Sequence, residues 1–100
     1  MIKHIVVWRL KDTALNNDKA TNAKLMKQRL EQLRGQIAGL LTIEVGIDYS
    51  STPNSSDVSL YSEFEDREAL DRYQNHPTHK EIAKFVGEAQ TERRMVDYEV

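Results

Sequence analysis

The segment Leu41–Phe64, LTIEVGIDYSSTPNSSDVSLYSEF, decides the fold because it reads as two strands joined by a turn. Apolar side chains occupy every second position of residues 41–49 and, except at Ser62, again of residues 58–64, a period typical of strands with one buried face. The serine-rich stretch between them contains Pro53-Asn54, which favours a turn. We predict a hairpin whose first strand turns one set of side chains inward: Leu41, Ile43, Val45, Ile47 and Tyr49.

An amphipathic helix is predicted before this hairpin, and a strand before the helix. The cluster Asn16-Asn17-Asp18 supplies helix caps, and apolar residues then recur at spacings of three and four up to an expected end near Gly35 to Gly39. Residues 2–10 alternate as a strand. The strand's two faces are predicted to carry His4, Val6 and Trp8 on one side and Lys3, Ile5, Val7 and Arg9 on the other.

Two short helices and a last strand are predicted after the hairpin. Asp66 caps a helix that runs to Gln74, and Pro77 starts a second helix that runs to about Ala89. Residues 94–100 alternate as a fourth strand. The order βαββαβ predicts an α+β fold, the ferredoxin-like plait, in which helices cover one face of a four-stranded antiparallel sheet and residues 1–100 form a single domain.

The second face of this sheet is predicted to be covered by another copy of the chain. Apolar side chains are expected on it among charged ones, and an isologous partner that stacks its own sheet there would bury them. The sequence therefore predicts a homodimer through the sheet face, with these apolar contacts: Ile5, Val7, Tyr61 and Met95.

Composition excludes several classes of function. The net charge of −2 arises from interspersed acidic and basic residues, so no concentrated positive field favours nucleic acid. No apolar run reaches the length of a membrane span, and the absence of cysteine excludes disulfides and thiolate chemistry. The N-terminus enters a strand pattern without the features of a signal peptide, so we expect a cytoplasmic protein.

Three polar side chains are predicted to converge on the apolar layer between sheet and helices: His4, Tyr73 and His79. His79 begins a helical stripe that continues with Ile82 and Val86, and Tyr73 lies on the inner side of the preceding helix. A buried imidazole tends to be neutral and can act as a general base, while a phenol can donate a hydrogen bond to a carbonyl or enolate oxygen.

This arrangement fits proton abstraction next to a carbonyl or an aldol-type ring closure, with His79 as base, Tyr73 as donor and His4 in a positioning role. The expected pocket wall consists of Val6, Trp8, Leu60 and Phe64. Structural roles are the alternative, because tyrosine and histidine at helix ends often satisfy backbone groups.

His76 is predicted to cap a helix rather than to bind a metal ion. His76 precedes Pro77 at a helix junction, which favours a role in capping backbone N–H groups. His4, His76 and His79 would be the ligands of a metal site, but their spacing matches no established ligand motif. We therefore predict neither a metal nor a cofactor.

Four short motifs resemble the stress-responsive A/B barrel domain family in their order and spacing over the whole chain. The motifs are Ile2-Lys3-His4-Ile5-Val6, Leu60-Tyr61-Ser62-Glu63-Phe64, Tyr73-x-x-His76-Pro77-x-His79 and Val96-Asp97-Tyr98-Glu99-Val100. The resemblance implies a dimeric α+β barrel formed by two ferredoxin-like subunits that stack their sheets.

The resemblance also implies a range of activities. One branch, similar to olivetolic acid cyclase, closes polyketide rings without a cofactor and uses a tyrosine and a histidine at positions that match Tyr73 and His79, with a further pocket histidine that matches His4. This chain has Val58 where that cyclase carries a histidine, so the polyketide substrate is not carried over. The wider group contains cofactor-free monooxygenases and lactone isomerases.

Two hypotheses of function follow. The first is a cofactor-independent lyase, cyclase or isomerase that acts on a small hydrophobic carbonyl compound. The second is a non-catalytic, stress-related module for small-molecule binding or assembly. A cofactor-free monooxygenase is a further alternative to the first.

Overall fold

A four-stranded antiparallel sheet with strand order β4-β5-β1-β6 forms the framework of the protein. A computed structural model describes all 100 residues. The elements along the chain are β1 (Ile2–Leu10), β2 (Thr13–Ala14), β3 (Asn17–Asp18), α1 (Lys19–Glu31), β4 (Leu40–Ile47), β5 (Val58–Phe64), α2 (Arg67–Asn75), α3 (Pro77–Ala89) and β6 (Gln90–Glu99). The ferredoxin-like plait and its antiparallel sheet are thereby confirmed.

Strand β1 lies inside the sheet and fixes which residues share a face. It pairs with β5 on one side and with β6 on the other. Directly opposite residues share a face, so a β6 residue that pairs with an inward residue of β1 lies on the helix side of the sheet. The three pairs that matter for the site are His4 with Asp97, Val6 with Met95 and Trp8 with Arg93.

The core lies between the sheet and the three helices. On the sheet side it contains Val6, Trp8, Ile43, Val45 and Leu60, all buried as predicted. The helix side of the core is contributed chiefly by Met26, Leu30, Leu33, Leu70, Tyr73, Ile82 and Val86.

None of the helices combines the length and the apolar composition that a membrane span requires.

Helix α1 ends earlier than its apolar stripe predicts. The helix stops at Glu31, and the chain continues in tight turns whose bonds include Leu33 N–H donating to Leu30 O and Gln36 N–H donating to Leu33 O. Gly35, with φ of 79°, lies within these turns. Leu33 and Ile37 are nevertheless buried, because the turns keep them against the core.

A small hairpin that was not predicted lies between β1 and α1. Strands β2 and β3 are joined by Leu15 and Asn16, which both have positive φ, at 55° and 62°. Two residues of positive φ form the turn that best matches the twist of paired strands, and Gly rather than Leu is its usual signal. Asp18 then caps α1 by accepting from Thr21 N–H, as predicted.

Three expected inward or interfacial positions are wrong, and a fourth residue, Ile47, lies on the expected face opposite Val58 but is not buried. Leu41 is exposed because the register of β4 shifts between Leu40 and Thr42, and Ile47 is exposed at the outer strand of the sheet. Tyr49 lies beyond β4 and is 97% exposed. Met95 stands opposite Val6 and so belongs to the helix side of the sheet, where the helices leave it partly uncovered.

Gly39 sets how closely α2 approaches the sheet. Its φ is +85°, and a Cβ added there would lie 2.5 Å from the Cβ of Ala69 on α2. Arg72 of the same helix donates to the carbonyl of Ala38 at 3.3 Å. The glycine therefore allows the contact that brings α2, and with it Tyr73, onto the core.

Replacement of Gly39 by alanine should lower the free energy of unfolding by about 2–4 kcal/mol, because left-handed strain adds to an overpacked contact. Gly35→Ala is the matched control, since Gly35 also has positive φ but has no atom within 4 Å of the added Cβ. It should cost only about 1 kcal/mol. Urea unfolding of both variants measures the difference, and equal losses would contradict this role of Gly39.

Candidate active site

A cavity of about 270 Å³ lies between the sheet and helices α1 and α3. Eight of its thirteen lining residues are hydrophobic. It opens between α3 and β6, where Ala83, Gly87 and Arg93 are exposed. The complete lining is His4, Val6, Trp8, Leu30, Leu60, Tyr73, His79, Ile82, Ala83, Val86, Gly87, Gln90 and Arg93.

Tyr73 enters the cavity wall from the inner face of α2 and is fully buried. Its ring centroid lies 4.3 Å from that of His79 and 5.1 Å from that of Phe64. The hydroxyl has no hydrogen-bond partner. Burial raises the pKa of Tyr73 far above its ordinary value of 10, with a small opposing effect of the nearby Arg93 cation, so the phenol keeps its proton.

His79 is the third residue of α3 and is half-buried. Its Nδ1 atom is shielded from solvent and has no hydrogen-bond partner. Burial lowers the pKa of His79 below 6.5, against an opposing contribution from the Gln74 backbone, and the positive charge of Arg93 acts in the same direction as burial. The imidazole is therefore neutral at pH 7 and retains a free lone pair.

His4 completes the polar part of the wall from the central strand β1. It is almost fully buried, and its ring centroid lies 6.1 Å from that of Tyr73. Its Nδ1 is hydrogen-bonded to the carboxylate of Asp97 on the neighbouring strand β6. Because a carboxylate only accepts, this bond orients the ring and assigns a proton to Nδ1.

Three of the four expected wall residues line the cavity, and Phe64 does not. Val6, Trp8 and Leu60 lie on the helix side of the sheet beside the cavity. Phe64 pairs with Ile2, at the opposite end of β1 from Trp8, and so packs behind Tyr73 instead. The indole Nε1 of Trp8 is buried without a partner, which adds a third unsatisfied polar atom to the wall.

Sequence reasoning missed Arg93 and Asp97. Both lie on β6, where register with Trp8 and His4 brings them to the helix side of the sheet. The predicted strand began only at residue 94, so Arg93 fell outside it. The alternation of β6 read against β1 is the signal that would have found both residues.

The alternative metal site is not assembled. His76 ends α2 and caps α3: its Nδ1 accepts from Thr78 N–H at 3.2 Å, as the predicted capping role requires. His76 is not part of the cavity lining that contains His4 and His79. The structure gathers no group of three or more histidine, cysteine or acidic side chains that could hold a metal ion.

The wall thus combines a neutral imidazole, a protonated phenol, an oriented second imidazole and one guanidinium within an apolar cavity. A neutral imidazole accepts a proton, and a phenol stabilises a developing oxyanion by hydrogen bonding. Together these groups are able to catalyse acid–base chemistry at a carbonyl compound.

The element order and the four-stranded sheet define an α+β protein of the ferredoxin-like class. The family model described as Stress Responsive A/B Barrel Domain matches residues 2–100. The chain belongs to the stress responsive A/B barrel domain family. The resemblance found in the sequence motifs is thereby confirmed.

Similar proteins support the same family and fold. An uncharacterized protein of Streptomyces coelicolor is 31% identical over 80 residues, which is 80% of each chain. A dimeric protein of unknown function with a ferredoxin-like fold from Bacteroides fragilis is 32% identical, with a TM-score of 0.85 over 99% of this chain and 95% of its own.

Two structures of named activity share the fold at lower identity. The hydroxynitrile lyase from Passiflora edulis is 16% identical, with a TM-score of 0.80 over 99% of this chain and 93% of its own. An antibiotic biosynthesis monooxygenase is also 16% identical, with a TM-score of 0.74 over 100% of this chain and 98% of its own. At such identity the likeness concerns the fold alone.

The burial of neutral His79 should make stability depend on pH. Between the lowered pKa and 6.5 the unfolded chain binds more protons at this residue than the folded protein, so the free energy of unfolding should fall as pH drops below about 6.5. The decline from this residue ends below its lowered pKa. His79→Gln should remove this contribution and flatten the curve.

Urea midpoints measured at pH values from 7.5 downward test this expectation. His76→Asn is the control, because asparagine retains the capping function and residue 76 lies outside the cavity. The control should keep the slope of the wild type. Identical slopes for wild type and His79→Gln would contradict the burial of a neutral imidazole.

Proposed function

We propose that the protein is an enzyme that removes a proton from a carbon atom next to the carbonyl group of a small apolar compound. The single observation that carries this proposal is the pair of Tyr73 and His79, whose rings lie 4.3 Å apart in the cavity wall with unpartnered polar atoms. Some lyase, cyclase and isomerase reactions begin with this step.

His79 is the general base of the proposed step. Its neutral imidazole takes the proton, the electrons of the broken C–H bond form a C=C bond, and the carbonyl π electrons move to oxygen. In an isomerisation the resulting imidazolium returns its proton to another carbon of the enolate. In a ring closure the enolate carbon bonds to a second carbonyl carbon of the substrate, and the alkoxide formed there takes the proton. No electrons leave the substrate, so the step needs no redox partner.

Tyr73 stabilises the enolate by donating its hydroxyl proton in a hydrogen bond. Its raised pKa suits this role, because the phenol remains a donor over the whole neutral range. Burial also strengthens the bond, since water does not compete for the oxyanion. His4, held by Asp97, is the positioning residue, and its Nε2 is left as a hydrogen-bond acceptor for an O–H group of the bound compound.

The alternative is a non-catalytic module that binds a small hydrophobic molecule. One observation favours it: the Tyr73 hydroxyl and His79 Nδ1 are shielded from solvent, so a ligand must displace side chains to reach them. Both hypotheses place the bound molecule in the same cavity. They differ in whether the protein removes a proton from that molecule.

The proposed step is tested by deuterium exchange, which requires no knowledge of the final product. Benzylacetone, α-tetralone and 4-phenyl-2-oxobutanoate are incubated in D2O with protein, and exchange next to the carbonyl is followed by proton nuclear magnetic resonance. His79→Gln should slow exchange by roughly 10²–10⁴-fold and Tyr73→Phe by roughly 10²–10³-fold. Wild-type exchange should also decline as pH falls through the lowered pKa of His79.

Two variants control for folding and for general surface effects. His76→Asn matches the histidine change, and Tyr49→Phe matches the tyrosine change at a residue that is 97% exposed. Both should exchange at the wild-type rate. No protein-dependent exchange in any of the three compounds would overturn the proposed step, and oxygen uptake by the same mixtures would instead favour the monooxygenase alternative.

We further propose that two copies of the chain stack through the open sheet face. Val96 and Tyr98 on β6 are 51% and 42% exposed on this face, beside the partly buried Ile5, Val7 and Tyr61. An apolar group of this kind normally meets a partner. The similar structure from Bacteroides fragilis is described as dimeric, which supports the same assembly here.

Sizing at micromolar concentration should give twice the monomer mass, and Val96→Arg should shift the protein toward the monomer. The shift is expected because the change places two like charges near each other across a twofold interface. Tyr49→Arg is the control, since it alters an exposed aromatic residue that lies beyond β4. A wild-type protein that elutes as a monomer would contradict the assembly.

A further inference from the structure

Arg93 is the only lysine, arginine or acidic residue in the cavity wall. It lies on β6 opposite Trp8, where the cavity opens to solvent. No carboxylate lines the cavity, and Asp97, the nearest acidic residue of the same strand face, is engaged by His4. A single positive charge therefore faces the cavity without compensation.

Arg93 also differs from every other arginine of the chain. The sequence contains seven arginines, and the other six each have a partner: a carboxylate, a backbone carbonyl or an aromatic ring. Arg93 has neither a hydrogen bond nor an ion pair. Its neighbour Arg94, on the opposite face of β6, is bonded to Glu92 at 3.1 Å.

Arg93 lies in the wall of the same cavity, of about 270 Å³, as the two groups of the proposed reaction, Tyr73 and His79. A ligand that fills the apolar part of the cavity and places a carbonyl at Tyr73 and His79 would end at the opening, beside Arg93. A planar guanidinium binds a carboxylate with two parallel hydrogen bonds.

We infer that Arg93 determines specificity by binding a carboxylate of the substrate, so that the substrate class is a small oxo acid with an apolar body. This inference rests on the proposed function for the reaction, but it concerns binding and is separable from it. The carboxylate lies at Arg93, the adjacent carbonyl lies beside Tyr73 and His79, and the apolar body lies along Trp8 and Leu60.

A matched pair of compounds tests this assignment. 4-Phenyl-2-oxobutanoate and benzylacetone share the phenyl group and the carbonyl, and they differ in that a methyl group replaces the carboxylate. Trp8 is the only tryptophan and lines the cavity, so its fluorescence reports binding of either compound directly. Deuterium exchange in the same samples reports the reaction separately.

The wild type should bind the oxo acid more tightly than the ketone, and added salt should weaken only the oxo acid. Arg93→Gln should weaken binding of the oxo acid roughly tenfold and leave the ketone unchanged. Arg93→Lys should lose less affinity for the oxo acid than Arg93→Gln, because lysine keeps the positive charge but cannot form two parallel hydrogen bonds to a carboxylate. Arg94→Gln is the control and should bind both compounds like the wild type.

The outcomes separate this inference from the proposed reaction. Binding that depends on Arg93 without any exchange would support the oxo-acid assignment and overturn the reaction. Exchange of both compounds that Arg93→Gln leaves unaltered would support the reaction and overturn the assignment. The assignment also fails if neither compound changes Trp8 fluorescence up to millimolar concentration.

Discussion

The site depends on a break in the backbone between two helices. Pro77 cannot continue α2, and it disfavours helical geometry at the residue before it. His76 accordingly has φ of −65° and ψ of 134°, so it ends α2 and caps α3 at once. One continuous helix would place Tyr73 and His79 six residues apart, on different faces. The break redirects the chain, and both rings reach one cavity with their centroids 4.3 Å apart.

The sheet supplies what the helices cannot, namely a fixed second imidazole and a charge at the opening. Register between β1 and β6 places Asp97 beside His4 and Arg93 beside Trp8. A shift of one residue would move both β6 side chains to the other face of the sheet, because successive strand residues alternate. The site is therefore defined by two independent constraints, a helix junction and a strand register.

Much of this arrangement could be predicted from periodicity and capping residues alone. The order of elements, the inner faces of β1 and β5, and the caps at Asp18, Asp66 and His76 follow from local pattern. Arg93, Met95 and Leu41 could not be placed in the same way, since their faces depend on which residue of a neighbouring strand they meet. Pairing partners and bulges are nonlocal, and no period within one strand reveals them.

The polar atoms of the interior divide into two groups, and the division is informative about function. Buried side chains away from Tyr73 and His79 are satisfied: Ser62 donates to the carbonyl of His4 at 2.9 Å, and Asn22 donates to the carbonyl of Ala14 at 3.0 Å. The unsatisfied atoms belong to three residues of one wall, Trp8, Tyr73 and His79. Each costs about 1–3 kcal/mol, a large fraction of the 5–15 kcal/mol that stabilises a typical domain. A core built for stability alone would carry apolar side chains at these positions, so their concentration around one cavity is the feature on which the proposed function depends.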